Sequence, residues 1–312
     1  MSHAVAASGS SPANPSKKSR GTTNFTDISG GRKAKNNIAT VLVYLTMLLA
    51  LAPLVWVLYN VVKNGLPAIV SPDWWAFDMA GQPNNKAGGG VAHAIVGTIA
   101  QVFVTSLLSI PIGIFTGIYL VEYSRGGWLG RVTTFMVDIL TGVPSIVAAL
   151  FVYAMWITLF GFSRSGFAVS LALILLMIPI VVRNTEEMLR IVPMDLREAS
   201  YALGVPKWKT ITKIVLPTAL SGIVTGIMLA VARVMGESAP VLILVGSSPA
   251  INWNVFDGNQ NSLPLFMLQM YRAGTNQFVL DRLWGAALTL VLLVAALMIG
   301  ARLISKRFSV KV

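Results

Sequence analysis

The sequence predicts an all-α integral membrane protein with six transmembrane helices. Only 12% of the 312 residues are charged, whereas an ordinary soluble domain carries about 25%. The mean hydropathy is +0.71, and several apolar runs reach the roughly 20 residues that a helix needs to cross a bilayer. Polar and apolar residues do not alternate along these runs, which excludes a transmembrane β-barrel.

Six apolar stretches are predicted to form the spans. They cover about residues 38–62, 94–121, 133–160, 167–182, 218–245 and 284–304. In the second span, Gly113 and Gly117 are four residues apart, a spacing that lets another helix approach closely. In the third span, the run Thr141-Gly-Val-Pro-Ser145 predicts a break, because proline removes a backbone donor. The fourth span is short and ends near Pro179.

Charge and composition divide the rest of the chain into tails and loops. Residues 1–36 are rich in Ser, Ala, Asn, Gly and Lys and predict a disordered basic tail. The first helix and a loop then occupy 37–91, the membrane domain occupies 92–304, and 305–312 form a second tail. A short amphipathic helix is predicted around 265–271 in the last loop.

The distribution of basic residues predicts how the chain is oriented. Six spans place both termini on one side, and cytoplasmic loops carry an excess of Lys and Arg. Most of the 24 Lys and Arg residues fall in the two tails, in the turn between spans 2 and 3, and in the segment 183–216. The opposite loops hold Lys63, Lys86, Arg164, Arg272 and Arg282. Both termini and segment 183–216 are therefore expected in the cytoplasm, and the net charge of +12 requires no nucleic-acid partner.

Several function classes are excluded by residues that the sequence lacks. Cysteine is absent, so disulfides, thiolate metal sites and a cysteine nucleophile are ruled out. The two histidines, His3 and His93, are far apart, and a zinc site needs about four ligands. No Gly-x-x-x-x-Gly-Lys-Ser/Thr phosphate loop is present. The chain is therefore expected to be no enzyme, to hold no metal or cofactor, and to hydrolyse no ATP by that route.

Two charged residues, Arg233 and Glu237, lie inside the fifth predicted span. One charge at the bilayer centre costs about 2.5–3.5 kcal/mol on insertion scales, so such residues face protein or water. On a continuous helix the two would share one face with Gly222, Gly226 and Ala230. Two alternatives stay open: a structural ion pair that sets the helix position, or an arginine that lines the translocation route, binds an anion and is held by the glutamate.

Asp138 is a further acidic residue at membrane depth, in the third span. It either makes an interior hydrogen bond or belongs to the pathway. The predicted break after it, which ends at Ser145, is either a packed kink or a gate, because it frees backbone groups. Asp138 and Ser145 are therefore candidate pathway residues beside Arg233 and Glu237.

The segment 183–216 predicts two short helices at the membrane surface. Apolar residues recur at helical spacing as far as Leu203. Pro193 divides the segment, Gly204 stops the helix because it accepts a positive φ, and Pro206 suits the first position of the next helix. The residues alone leave two alternatives, a docking element for a partner or an interfacial helix that touches only lipid.

A gapped motif begins in the same segment and ends one residue beyond it. Its residues are Glu198, Ala199, Gly204, Ile214, Leu216 and Pro217. The motif resembles the Glu-Ala-Ala, Gly, Ile-x-Leu-Pro signature of permease subunits of bacterial ABC importers, with Ser200 in place of the second alanine. The resemblance implies the type I importer permease fold, with a cytoplasmic coupling helix between spans 4 and 5 that inserts into an ATPase subunit. The residues implied to make that contact are Glu198, Ala199, Ser200, Gly204 and Pro206.

Other stretches resemble the phosphate permeases of this family, the PstA type. They are Met177-Ile-Pro-Ile-Val-Val-Arg183 with Glu186-x-Met-Leu189, the run 196–208, Ala232-Arg-Val-Met-Gly-Glu-Ser-Ala-Pro240, and Asp138-x-Leu-x-Gly-Val-Pro-Ser-Ile-Val147. The resemblance covers about 92–304 and implies inorganic phosphate as the substrate, carried across the bacterial plasma membrane. It also implies four kinds of partner or ligand: a second permease of the PstC type, two ATP-binding subunits of the PstB type that hold ATP and Mg, an extracytoplasmic phosphate-binding protein of the PstS type, and membrane lipid.

Three other functions remain open at this point. One is an ABC importer for another oxyanion, such as sulfate, molybdate or phosphonate. Another is a secondary transporter driven by an ion gradient, although the internal repeat with matched broken helices that such folds often show is not evident. The third is a membrane anchor for a cytoplasmic enzyme, which would need segment 183–216 but neither Arg233 nor Glu237.

Overall fold

A computed structural model describes residues 30–124 and 126–308, and every regular element within them is helical. The helices are α1 (Gly30–Val70), α2 (Pro72–Ala76), α3 (Ala92–Ile118), α4 (Trp128–Thr141), α5 (Ser145–Val152), α6 (Gly166–Ile191), α7 (Met194–Ala202), α8 (Lys207–Thr210), α9 (Leu216–Met235), α10 (Ala239–Leu244), α11 (Leu263–Arg272) and α12 (Gln277–Phe308). Turns of π-helix extend α3, α5 and α8, at Tyr119–Tyr123, Tyr153–Leu159 and Ile211–Val215. The helix predicted around 265–271 is confirmed as α11.

The described residues contain five unbroken helical stretches that are long and apolar enough to cross a membrane. These are Gly31–Val70, Ala92–Tyr123, Gly166–Ile191, Lys207–Met235 and Gln277–Leu303. The pair Trp128–Thr141 and Ser145–Leu159 adds another, bent by 106°. Counting this pair as one broken span confirms the six predicted spans and the predicted break in the third.

The described residues divide into two units, one that ends at Trp56 and one that begins at Val57. In the first unit the described residues all belong to α1, and the side chains from 31 onward are exposed. Residues 30–36, which the sequence places in the disordered tail, form the first turns of α1. The run Arg32-Lys-Ala-Lys35 favours helix, which accounts for this difference. The rest of the predicted tail lies outside the described residues.

Three helices, α3, α6 and α9, form the centre of the second unit, and their apolar faces share one core. Gly113 and Gly117 of α3 lie against Val181 and Thr185 of α6. A Cβ added at these glycines would lie 2.6 Å and 2.8 Å from atoms of those two side chains, closer than packed atoms normally approach. The close helix approach predicted for the two glycines is therefore confirmed.

This contact leads to a stability prediction. Gly113→Ala is expected to destabilise the protein by about 1–3 kcal/mol, because the added methyl overpacks a filled interface. The matched control is Gly300→Ala in α12, where an added Cβ meets nothing within 4 Å. Thermal unfolding of both variants in the same detergent checks this. Equal midpoints for the two variants would show that the α3–α6 contact tolerates a side chain.

The fourth span is longer than the sequence predicts. The sequence predicts that this span ends near Pro179, but α6 continues through that residue to Ile191. Pro179 removes one amide donor without stopping the helix. The last turn is stabilised from outside, because the guanidinium of Arg197 donates to the carbonyl oxygens of Leu189 at 2.9 Å and Val192 at 2.7 Å. Several charged residues assigned to the surface segment therefore belong to a spanning helix.

The loop between α2 and α3 is held by one side chain of α12. Arg282 is 4% exposed, and its guanidinium donates to the carbonyl oxygens of Lys86 at 2.9 Å, Gly88 at 2.7 Å and Pro83 at 3.4 Å. Carbonyl oxygens of the loop, beside the start of α12, thus replace the water that a buried guanidinium would lose.

Candidate functional site

Four charged side chains form a cluster that joins α4 to α6. Asp138 of α4 accepts a hydrogen bond from Nη2 of Arg183 on α6. Nη1 of Arg183 donates to Oε2 of Glu186 at 2.7 Å, and Nη2 of Arg190 donates to Oε1 of Glu186 at 2.5 Å. Glu186 is 6% exposed, so two guanidinium groups compensate its charge in place of water.

One side of this cluster is open. The side chain of Asp138 is 58% exposed and that of Arg183 is 30% exposed. Both residues lie within spans, where an exposed charge facing hydrocarbon is costly. This side of α4 and α6 is therefore expected to face water or another protein chain rather than lipid.

Ser145 is the first residue of α5, directly after the break in the third span. Gly142 ends α4, and Pro144 has an extended backbone with φ −62° and ψ 142°. The chain changes direction here because proline cannot continue the hydrogen-bond ladder of α4. Ser145 is half-buried. It lies seven residues after Asp138 in the chain, on the other side of the bend.

Arg233 and Glu237 do not lie on one continuous helix, contrary to the sequence prediction. α9 ends at Met235, and Gly236 and Glu237 follow it in a turn. The cause is local, since the helix would need an amide donor at Pro240 to bond the carbonyl of Gly236. Among the residues that the structure describes, no ion pair joins Arg233 to Glu237, so the predicted pair is not formed.

The two residues therefore have different surroundings. Arg233 is exposed, and within the described part of the chain its guanidinium has no acidic partner. Glu237 is half-buried and precedes α10, a helix whose buried face packs against α5 and α6. The helices that follow the two chain breaks, α5 and α10, thus pack against each other.

The segment between spans 4 and 5 forms a hairpin of two short helices, α7 and α8, hereafter the α7–α8 hairpin. Pro193 precedes α7, as predicted, and Pro206 precedes α8 by one residue rather than occupying its first position. Gly204 has φ +73°, which confirms the predicted helix stop. An added Cβ at Gly204 would meet nothing within 4 Å, so its backbone conformation, and not crowding, requires glycine.

The motif residues of the hairpin divide into exposed and buried ones. Glu198 and Ala199 are exposed on α7, and Pro206 is exposed before α8. Ser200 is 3% exposed, and its Oγ lies 2.8 Å from Oγ1 of Thr210. Ser200 therefore holds the two helices together and does not face outward, unlike the role that the resemblance implied for it.

The hairpin also exposes large apolar side chains. Leu203 is 83% exposed, Met194 is 63% exposed and Trp208 is 58% exposed. These three residues flank Glu198 and Gly204 along the chain. Exposed apolar groups concentrated on one short element are typical of a surface that another protein or the membrane covers.

The model of the family described as binding-protein-dependent transport system inner membrane component matches residues 109–310, which is more than half of the chain. The chain belongs to this family. The matched region holds the α4–α6 charge cluster, both chain breaks and the α7–α8 hairpin.

Several curated relatives of this chain are named as phosphate transport system permease proteins. The phosphate transport system permease protein PstA of Mycobacterium leprae (strain TN) is 53% identical over 272 residues, covering 86% of this chain and 88% of the relative. The phosphate transport system permease protein PstA 1 of Mycobacterium tuberculosis (strain CDC 1551 / Oshkosh) is 52% identical, with 88% and 89% covered. The protein named PstA of Yersinia pestis is 47% identical, with 68% and 70% covered.

Solved structures agree with the family fold at low sequence identity. A chain of the bacterial alginate ABC transporter, solved with its alginate pentasaccharide-bound periplasmic protein, has a TM-score of 0.61 at 13% identity, covering 88% of this chain and 96% of the other. A chain of the inward-facing MetNI methionine ABC transporter has a TM-score of 0.58 at 22% identity, covering 70% and 96%. These likenesses establish the type I ABC importer permease fold for the chain.

Sequence reasoning missed part of the charged network. Arg183, Glu186 and Arg190 were assigned to the surface segment, although their spacing of three and four residues places them on one helical face. That spacing is a signal that could have found the cluster. The contact between Glu122 and Arg197 had no such signal, because the two residues are 75 positions apart.

Proposed function

We propose that this chain is the permease subunit of an ATP-driven importer that moves inorganic phosphate across the bacterial plasma membrane. The observation that carries the proposal is the 53% identity, over most of both chains, to a protein named as a phosphate transport system permease. At this identity the charged residues at membrane depth are expected to encounter the same substrate in both proteins. The fold alone would not distinguish phosphate from other cargo.

Arg233 is the residue best placed to contact the anion along the route. Its guanidinium lies in a spanning helix, is exposed, and lacks an acidic partner among the described residues. Arg183, in contrast, is neutralised by Asp138 and Glu186. A planar guanidinium donates to two phosphate oxygens at once. We also assign Glu237, Asp138 and Ser145 to this pathway. They border the two chain breaks, which are the points at which a moving helix would bend.

The α7–α8 hairpin is the proposed docking element for the ATPase. Its exposed carboxylate at Glu198 and its exposed apolar residues provide polar and apolar contact on one small surface. The ATPase subunits, of the PstB type, would hold ATP and Mg, so the chain itself would need no cofactor and would catalyse no hydrolysis. The remaining partners are a second permease of the PstC type and a phosphate-binding protein of the PstS type. Membrane lipid surrounds the complex, and no nucleic acid is involved.

The orientation follows from the same assignment. An ATPase that docks on the hairpin places the α7–α8 side in the cytoplasm, which agrees with the excess of Lys and Arg on that side. Both chain termini then lie in the cytoplasm as well. The loop held by Arg282 lies on the opposite side, where a binding protein would deliver phosphate.

Reconstitution with the partner subunits tests the function. In proteoliposomes with ATP at the hairpin side and the binding protein at the other, labelled phosphate is expected to accumulate. An ATPase partner that binds but does not hydrolyse ATP is the control and is expected to abolish accumulation. Excess sulfate, molybdate or phosphonate is expected not to compete. Uptake that persists without ATP would favour a gradient-driven transporter, and competition by sulfate would favour another oxyanion.

A further inference from the structure

The cytoplasmic end of α3 is tied to the α7–α8 hairpin by a buried charge pair. Arg197 of α7 and Glu122 after α3 are each 7% exposed. Nε and Nη2 of Arg197 donate to Oε1 of Glu122 at 3.2 Å and 3.0 Å. The pathway described above uses neither residue, so their burial requires its own explanation.

The same guanidinium also binds the end of α6. As described for the fourth span, Nη1 and Nη2 of Arg197 donate to the carbonyl oxygens of Val192 and Leu189. All three nitrogens of the guanidinium are therefore in use. One side chain of the hairpin thus holds two membrane spans, α3 through Glu122 and α6 through its last carbonyl groups.

The second helix of the hairpin, α8, also contacts the end of the second span. Nζ of Lys207 on α8 donates to the backbone carbonyl of Glu122 and lies 5.0 Å from the ring centroid of Tyr123, within cation–π range. Glu122 and Tyr123 belong to the π-helical turn that ends the second span. Such turns are rare and are often found at functional sites.

Energetic considerations favour a role other than simple stabilisation. A buried ion pair is frequently no more stabilising than apolar residues of similar volume, because both charges lose their hydration. The pair also borders a cavity of about 610 Å³ that is lined by residues of the second span, α6, α7 and α8. The hairpin is therefore joined to the spans at a few directed contacts rather than through continuous apolar packing on that side.

We propose that Arg197 is a positioning residue that transmits movement of the hairpin to α3 through Glu122. This inference rests on the proposed docking of an ATPase at the hairpin. When the ATPase displaces α7, the guanidinium carries α3 and the end of α6 with it. α3 and α6 share the most extensive helix–helix contact of the core, with Gly113 and Gly117 within it, so the displacement reaches the membrane interior.

Two variants separate transmission from folding. Glu122→Leu with Arg197→Met removes both charges and keeps similar volumes, which is often tolerated at a buried pair. Glu122→Leu alone removes the carboxylate oxygen that accepts both hydrogen bonds from Arg197. Arg302→Gln is the control for loss of a positive charge, because Arg302 is exposed near the end of α12. Each variant is assembled with its partners and compared with the unmodified complex.

The first measurement is the amount of phosphate imported per ATP hydrolysed. Both pair variants are expected to bind the ATPase normally and to lose about fivefold or more in this ratio, the lower range of typical coupling effects. The control is expected to match the unmodified complex. A normal ratio in either assembled pair variant overturns the proposal. Failure of both pair variants to assemble with the ATPase also overturns it, in favour of a purely structural role.

The second measurement does not depend on phosphate. The chain contains no cysteine, so Phe115→Cys in α3 and Ile299→Cys in α12 can carry spin labels at two exposed sites. The label distance is expected to change between the nucleotide-free and ATP-trapped complexes, and the change is expected to vanish in the pair variants. A persistent change overturns the proposal. A complex that shows the change but imports no phosphate would instead contradict the proposed function.

Discussion

Phosphate uptake by the reconstituted Arg233→Gln complex is expected to fall by about 10–100-fold. A hydrogen bond to a charged group is worth about 1.5–3 kcal/mol, and each 1.4 kcal/mol corresponds to about a factor of ten. Glutamine keeps a polar side chain at this exposed site, so folding is expected to persist. The measurement is the initial rate of uptake of labelled phosphate at saturating ATP and binding protein.

Two further variants define what the loss means. Arg233→Lys keeps the charge but not the planar fork and is expected to give an intermediate rate. Arg302→Gln, at the exposed end of α12, is expected to leave uptake unchanged. If Arg233→Gln transports phosphate at the unmodified rate, Arg233 has no part in the pathway.

Gly204→Val is expected to weaken binding of the ATPase to the hairpin by about tenfold while leaving the membrane helices folded. The left-handed conformation costs an ordinary residue about 1–2 kcal/mol, and a β-branched residue resists it most. Because an added Cβ meets no neighbour, the effect is expected to come from a changed angle between α7 and α8. Co-purification of the ATPase and its hydrolysis rate measure the result.

Gly204→Asn is the matched control for this prediction. Asparagine adopts positive φ more readily than other residues with a side chain, so its variant is expected to bind nearly as well as the original. If the valine variant also binds and hydrolyses normally, the turn between α7 and α8 does not determine docking. Equal loss in both variants would point to contact at the glycine surface itself.

Features encoded by local physics were predicted well from the sequence. The lengths of the apolar runs indicated six spans, and Pro144 marked the break in the third. Pro193 and Gly204 indicated where the helices of the surface segment divide and stop. In each case a single residue restricts its own backbone, so no knowledge of distant contacts was needed.

Features that depend on distant contacts were not predictable in this way. The fourth span continues to Ile191 because Arg197, a residue of the next helix, binds its last carbonyl groups. Glu122 and Arg197 meet only after the chain has crossed the membrane twice. The break before Glu237 is different, because Pro240 is a local signal in the sequence that the helix of α9 cannot continue unbroken.

The way in which Arg282 holds the loop between α2 and α3 has a consequence for how this family could diversify. The guanidinium binds main-chain oxygens of Pro83, Lys86 and Gly88, so the course of the loop depends little on which side chains it displays. Amino acids at its exposed positions could be exchanged to suit a different soluble delivery protein while the scaffold beneath stays the same. Altering Arg282 itself would instead release the whole segment at once.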